Sequence, residues 1–128
     1  MNDLINTKKK MRQAIKKHLL ALKVPGEIPQ SKKATVKWGG YVTLKLTSND
    51  DVHIGCAEVK RGRRPGYYAI YWIIIISGNS FTSHKFSPSH YDVGPNSDFD
   101  VIAEAVCKDI KKYSFPIIKR FLNEKTRG

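Results

Sequence analysis

Acidic residues are scarce in the first 91 positions of this 128-residue chain, which hold five (Asp3, Glu27, Asp50, Asp51 and Glu58) against sixteen Lys and Arg. Residues 92–128 carry seven bases and six acids, so +11 of the formal +12 charge lies in the longer part. A shortage of acids that uneven builds a local positive field, which attracts phosphate, anionic lipid or an acidic protein. Long hydrophobic runs are also missing. The run Ala69 to Ile76 has 8 residues, or 10 with Tyr67 and Tyr68, far fewer than the roughly 20 of a membrane helix, so no membrane partner is expected. The N-terminal charge has no apolar stretch behind it, so no secretory signal is expected and the chain reads as cytoplasmic. Cysteine is nearly absent. Cys56 and Cys107 each sit inside an apolar pattern, which favours buried free thiols in a reducing compartment over a single disulfide. Internal repeats and low-complexity segments are lacking as well.

What is present is the composition of a globular protein, with 41% hydrophobic and 10% aromatic residues. A single α+β domain spanning 1–128 is expected, large enough to bury about two-thirds of its unfolded surface. Residues 8–23 predict an amphipathic helix with Met11, Ala14, Ile15, His18, Leu19 and Leu22 on one face and Leu20 pointing away. Lys9, Arg12, Lys16 and Lys23 fall within about 60° of one another on the adjoining flank. Asn6 or Thr7 is the expected N-cap, and Pro25-Gly26 the stop.

A run of strands follows. Ala34, Val36 and Trp38 alternate, as do Val42, Leu44 and Leu46 after Gly39-Gly40. A three-residue loop, Gly39-Gly40-Tyr41, pairs Trp38 with Val42 and Val36 with Leu44 and sets both apolar rows on one face. The same parity joins Leu44 to Ile54 and Val42 to Cys56 across a turn at 47–51. The third strand then runs from Val52 to about Lys60. A basic loop, Arg61-Gly62-Arg63-Arg64-Pro65-Gly66, leads into Tyr67–Ile76, a strand apolar on both faces and therefore central or covered on both sides. Phe81–Phe86 is a candidate fifth, edge strand. Ser97-Asp98-Phe99-Asp100 resembles a capping box opening a helix whose apolar face is Phe99, Ile102, Ala103, Val106, Ile110 and Tyr113. Pro116 is expected to break or kink it, with Ile117–Leu122 as a last helix. The architecture expected is an N-terminal helix, a four- or five-stranded antiparallel meander, and C-terminal helices packed on one face.

No catalytic signature survives a test of spacing. Glu58-Val59-Lys60 matches the tail of the PD-(D/E)xK nuclease motif, with both side chains on one face of a strand. The preceding strand offers no acid, and Asp51 lies about 23 Å along Glu58's own strand, so a Mg²⁺ site lacks its usual charge. A solvated charge pair is the plainer expectation for Glu58 and Lys60. The histidines and cysteines show neither C-x-x-C nor H-x₃-H spacing, and His53 and Cys56, three apart on a strand, face opposite ways, so no metal or cofactor is expected. The serines of 77–89 lack a Gly-x-Ser-x-Gly elbow. Gly62 and Gly66 lack the Walker spacing.

The loop is notable for charge instead. Lys60, Arg61, Arg63 and Arg64 cluster beside Tyr67 and Tyr68, and guanidinium groups next to aromatic rings suit phosphate contact with base stacking. The bland alternative is a hairpin tip whose arginines guard against edge pairing. No acid is expected to neutralise either the loop or the helix stripe.

Ile110-Lys111-Lys112-Tyr113-Ser114-Phe115-Pro116-Ile117-Ile118 resembles the I-x₅-P-φ-φ ending of the DUF4304 family of small bacterial proteins. The order of opening helix, strand meander and closing helix is similar to that family across most of the chain. The family has no established activity, so the resemblance implies a binding module and no catalytic residue.

The residues thus predict a non-catalytic basic module that engages nucleic acid (DNA or RNA) through Lys9, Arg12, Lys16, Lys60, Arg61, Arg63, Arg64 and Tyr67. An immunity or adaptor protein binding an acidic protein partner is the alternative. Immunity proteins against nucleases need acidic surfaces, so at +12 the target would be another kind of toxin. A small Mg²⁺-dependent nuclease, resting on Glu58 and Lys60 alone, comes third.

Overall fold

The computed structural model describes residues 2–23, 34–37, 41–45, 52–59, 65–76, 79–82 and 91–127. In chain order its elements are α1 (Asn2–Ala21), β1 (Ala34–Lys37), β2 (Tyr41–Lys45), β3 (Val52–Val59), β4 (Tyr68–Ile76), β5 (Asn79–Thr82), β6 (Tyr91–Val93) and α2 (Phe99–Arg127). The strands form one antiparallel sheet in the order β1-β2-β3-β4-β5, with β6 also paired to β4. This is the α+β architecture that the sequence predicts.

The apolar run of β4 has a topological cause. It pairs with β3 from Ala69 to Ile76, while β5 covers the other edge from Ile73 to Ile76 and β6 covers it from Tyr68 to Ile70. β4 is thus the central strand of the sheet, the place expected for a strand that is apolar on both faces. One face of the sheet carries the main core. Val42, Cys56 and Trp72 lie in one rung, Leu44, Ile54 and Ile74 in the next, and all are buried against Met11, Ile15 and Leu19 of α1 and Val106 and Ile110 of α2. The ring of Trp72 stacks on Tyr113 of α2, with centroids 6.3 Å apart and planes at 11°.

Two glycines mark close approaches. A Cβ at Gly55 would stand 1.9 Å from the carbonyl oxygen of Val42, so β2 can lie against β3 there only because no side chain intervenes. A Cβ at Gly94 would stand 2.3 Å from the ring of Tyr67.

The β2–β3 register is the predicted one, with Leu44 opposite Ile54 and Val42 opposite Cys56. The β1–β2 register differs by two residues. Val36 pairs with Val42, Ala34 with Leu44 and Lys37 with Tyr41, so the connection is residues 38–40 rather than 39–41. A slip of two preserves side-chain parity, which is why an argument from faces alone cannot detect it. Trp38, expected on the buried face, lies outside the described residues, as do the turn at 47–51 and positions 83–86 of the expected fifth strand. β5 begins at Asn79, ahead of the predicted Phe81. β6 was not expected.

The helix ends also differ from the sequence reading. α1 starts at Asn2, so Asn6 and Thr7 lie inside it rather than capping it. Thr7 is buried on the same side as Met11 and Ala14, and tertiary burial of this kind overrides a weak intrinsic preference. α2 is capped by Asp98, whose Oδ1 accepts the Val101 N–H at 3.2 Å, and not by Ser97. Ser97 closes the preceding turn, accepting the Gly94 N–H through Oγ at 2.9 Å and donating its own N–H to the Gly94 carbonyl at 3.1 Å.

Pro116 neither ends α2 nor splits it, because the helix runs on to Arg127 as one element. Ile110, Ser114 and Ile118, each a turn apart, are buried on both sides of the proline, while Pro116 itself is exposed. Burial of that row holds the helix through the lost hydrogen bond. The Lys112 carbonyl then has no i+4 N–H, a defect that alanine repairs. Pro116→Ala is therefore expected to stabilise the fold by about 1–3 kcal/mol, allowing for the greater freedom of the unfolded chain. Urea unfolding with an unchanged slope and a raised midpoint would show it; a lowered midpoint would contradict it.

Candidate functional site

Alternation along β3 places Val52, Ile54, Cys56 and Glu58 on the same face, the one covered by the helices. Three of the four are apolar core residues. The fourth is a carboxylate whose side chain is only 9% exposed. An unpaired carboxylate in that position would cost several kcal/mol in lost hydration. Arg12 of α1, 46 residues away in sequence, supplies the counter-charge. Its Nε donates to Oε2 and its Nη2 to Oε1, both at 2.6 Å. This is a side-on fork, a geometry that only a guanidinium provides. The hydrogen bond to Glu58 pushes the Arg12 pKa above its already high ordinary value.

Lys8, one turn earlier on the helix, holds its ammonium 5.3 Å above the ring centroid of Tyr68, the first residue of β4. Glu58 and Tyr68 stand near the ends of β3 and β4, on the two sides of residues 60–64. The flank of α1 therefore crosses the base of the hairpin that carries the basic loop. Burial drives the Tyr68 hydroxyl strongly upward in pKa, with the Glu58 charge adding to the effect, so it stays protonated.

The residues singled out by sequence fare unequally. Lys9 is exposed and Lys16 half-buried on the flank that carries Arg12. Arg12 lies there too, yet it is tied to an acid, which corrects the expectation that no acid neutralises the stripe. Glu58, expected in a solvated charge pair, is instead largely buried and bonded to Arg12. Tyr67 is half-buried with its ring against Gly94, so that face of the ring is closed to a base. Lys60, Arg61, Arg63 and Arg64 lie outside the described residues. Lys8 was missed by the sequence reading. Its position in the i, i+4, i+8 row with Arg12 and Lys16 was the available signal.

On the opposite flank of α1 a second ionic cluster ties the two helices. His18 Nε2 lies 3.1 Å from Asp100 Oδ1, and Lys17 Nζ lies 3.6 Å from the same oxygen. A groove of about 380 Å³ adjoins it, lined by His18, Ala21, Leu22, Glu104, Cys107, Lys108 and Lys111. Among the described residues no cluster of three His, Cys, Asp or Glu has metal-binding geometry. Tyr91 of β6 donates to Asp109 of α2, fastening that strand under the helix. Cys56 and Cys107 are free and buried. Burial lifts Cys107 to about 12, and Cys56 also lies well above the ordinary thiol range because of burial.

No protein family, curated protein or solved structure matches the chain. The Ile110–Ile118 segment, which carries the sequence resemblance, forms the middle of α2.

Two solution tests follow from these environments. Asp100 has its pKa lowered by the hydrogen bond from His18 and then by Lys17. In the window below about pH 4 the unfolded chain holds this proton more tightly than the native one, so stability rises with pH there and is lost as pH falls through the depressed native value. Asp100→Asn should flatten that acid limb in denaturation curves between about pH 2 and 5, and an unchanged limb would contradict the assignment. The thiols should remain unreactive towards a disulfide reagent at pH 8 in native protein and react fully in denaturant. Rapid modification of native protein would show that they are not buried.

Proposed function

We propose that the protein is a non-catalytic binding module for nucleic acid, with the Lys8–Arg12–Lys16 flank of α1 and the basic β3–β4 loop as its contact face. The observation carrying this reading is the fastening of that flank to the hairpin base by Arg12–Glu58 and Lys8–Tyr68. Residues 60–64 join Val59 to Pro65 in the sequence. Four of the five are Lys60, Arg61, Arg63 and Arg64. On this reading their charges and those of Lys8, Lys9 and Lys16 attract one partner together, an attraction that reaches over a Debye length of about 8–10 Å. A continuous row of phosphates is the partner that such a concentration of cations suits best.

A nuclease is less well supported, because the guanidinium of Arg12 occupies both carboxylate oxygens of Glu58. An acidic protein partner fits the charge but has no specific feature in its favour. The cytoplasm, where nucleic acid is accessible, is the compartment this reading requires.

The test is a titration of labelled single- and double-stranded oligonucleotides at several salt concentrations. Affinity should fall linearly in log–log terms, each phosphate contact contributing roughly 0.7–0.9 to the slope. Replacing Arg61, Arg63 and Arg64 together by Ala should flatten the slope by about two to three units. Salt-independent micromolar binding, or no binding at low salt, would overturn the reading in favour of a protein partner. Mg²⁺-dependent cleavage lost on Glu58→Ala would overturn it in favour of the nuclease.

A further inference from the structure

A guanidinium has five N–H donors arranged along two usable edges. Glu58 takes the side edge of Arg12, through Nε and Nη2. The end edge, formed by Nη1 and the second hydrogen of Nη2, has no hydrogen-bond acceptor among the described residues. The Arg12 side chain is 32% exposed, whereas that of Glu58 is 9% exposed. The carboxylate thus lies on the inner side and the guanidinium on the outer. A guanidinium gripped on its side edge cannot rotate freely about its terminal bonds, so its end edge keeps a fixed direction. Lys8 lies one turn away on the same flank and is itself held in place over Tyr68.

We infer that Arg12 is a phosphate-recognition residue and that Glu58 is its positioning residue, presenting the end edge of the guanidinium to a phosphodiester of bound nucleic acid. This deepens the nucleic-acid reading and rests on it for the source of the phosphate. The role assigned to Glu58 opposes simple electrostatics. As an acid beneath a basic face, Glu58 should weaken polyanion binding if it acted through charge alone, and its removal should strengthen binding. As the residue that fixes the fork, it should strengthen binding, because a bidentate contact requires a preorganised donor pair.

The experiment uses the full chain with Glu58→Gln and Arg12→Lys, each checked for native unfolding behaviour. Oligonucleotide affinity and salt slope are measured as above. The Nε–H resonance of Arg12 is also followed by NMR during titration with inorganic phosphate. Arg12→Lys keeps the charge and loses the fork, so affinity should drop roughly ten- to a hundredfold while the slope stays within one phosphate contact of the original. Glu58→Gln should also weaken binding, by at least about threefold, despite its added positive charge. Inorganic phosphate should perturb the Arg12 resonance in the parent protein and do so less in Glu58→Gln.

Tighter binding by Glu58→Gln, or undiminished binding by Arg12→Lys, overturns the inference and leaves the nucleic-acid reading standing. A protein that binds no oligonucleotide yet shows the phosphate response at Arg12 keeps the phosphate site and loses nucleic acid as its source. If Glu58→Gln does not fold, Arg12→Lys and the phosphate titration decide the matter. An Arg12 resonance indifferent to phosphate, with binding unaffected by Arg12→Lys, refutes the proposal.

Discussion

The carboxylate of Glu58 has to be neutralised where it stands, and much of the molecule's surface follows from that requirement. The alternation that buries Val52, Ile54 and Cys56 also turns Glu58 towards the helices. Leaving it unpaired there would cost a substantial part of the 5–15 kcal/mol or so by which a domain of ordinary stability is folded. Arg12 meets the need at 2.6 Å through both oxygens. Because Met11 and Ile15 must enter the core at the same time, this pairing limits both the rotation of α1 and its position along its axis. Lys8, one turn before Arg12, is then carried to Tyr68 at the margin of the hairpin. The placement of the basic flank is thus a by-product of satisfying one buried acid.

The hairpin is a firm base for that flank because β4 is held on both edges. β5 and β6 share its outer edge, and the offset between them can be read from their partners. Thr82 and Tyr91 are nine residues apart, but Ile73 and Ile70 opposite them are three apart. β6 regains the ladder at Tyr91, whose hydroxyl is bonded to Asp109 of α2. Just beyond it, Gly94 admits the ring of Tyr67. Through these contacts the start of β4 is tied to the same framework as α2, and Lys8 sits above it.

How much of this was legible in the sequence depends on the range of the interaction involved. The faces of α1, β2, β3 and α2 were readable because side-chain period is a local property. The β2–β3 register followed from it. The β1–β2 register did not, since a slip of two residues leaves every side chain on its proper face. β6 has three residues and no period to detect, and its existence depends on an unoccupied stretch of β4's edge. The separate last helix expected after Pro116 is absent because the row Ile110, Ser114 and Ile118 keeps α2 continuous by packing that no local propensity records. Glu58 is the instructive case. Parity already placed it on the covered face, so its need for a cation was visible, although the partner 46 residues away was not. Weighing Glu58 against Lys60 by proximity in sequence overlooked that constraint.

On the proposed reading, the ion pair also divides the work of binding between two kinds of base. An arginine paired with a carboxylate contributes little net charge at a distance, so it adds little to the long-range attraction of a polyanion. That attraction falls to Lys8, Lys9, Lys16 and the loop bases, whose effect decays over a Debye length and depends on salt. Arg12 would act only at contact, where the end edge of its guanidinium meets a phosphate in a direction set by Glu58. Attraction and recognition would then respond to different substitutions: loss of a lysine changes the salt slope, whereas loss of the fork changes affinity at constant slope. A protein partner dominated by apolar contact would show neither separation. On that reading, the neutral Arg12–Glu58 pair is what would distinguish a surface organised around phosphate geometry from one that is merely positive.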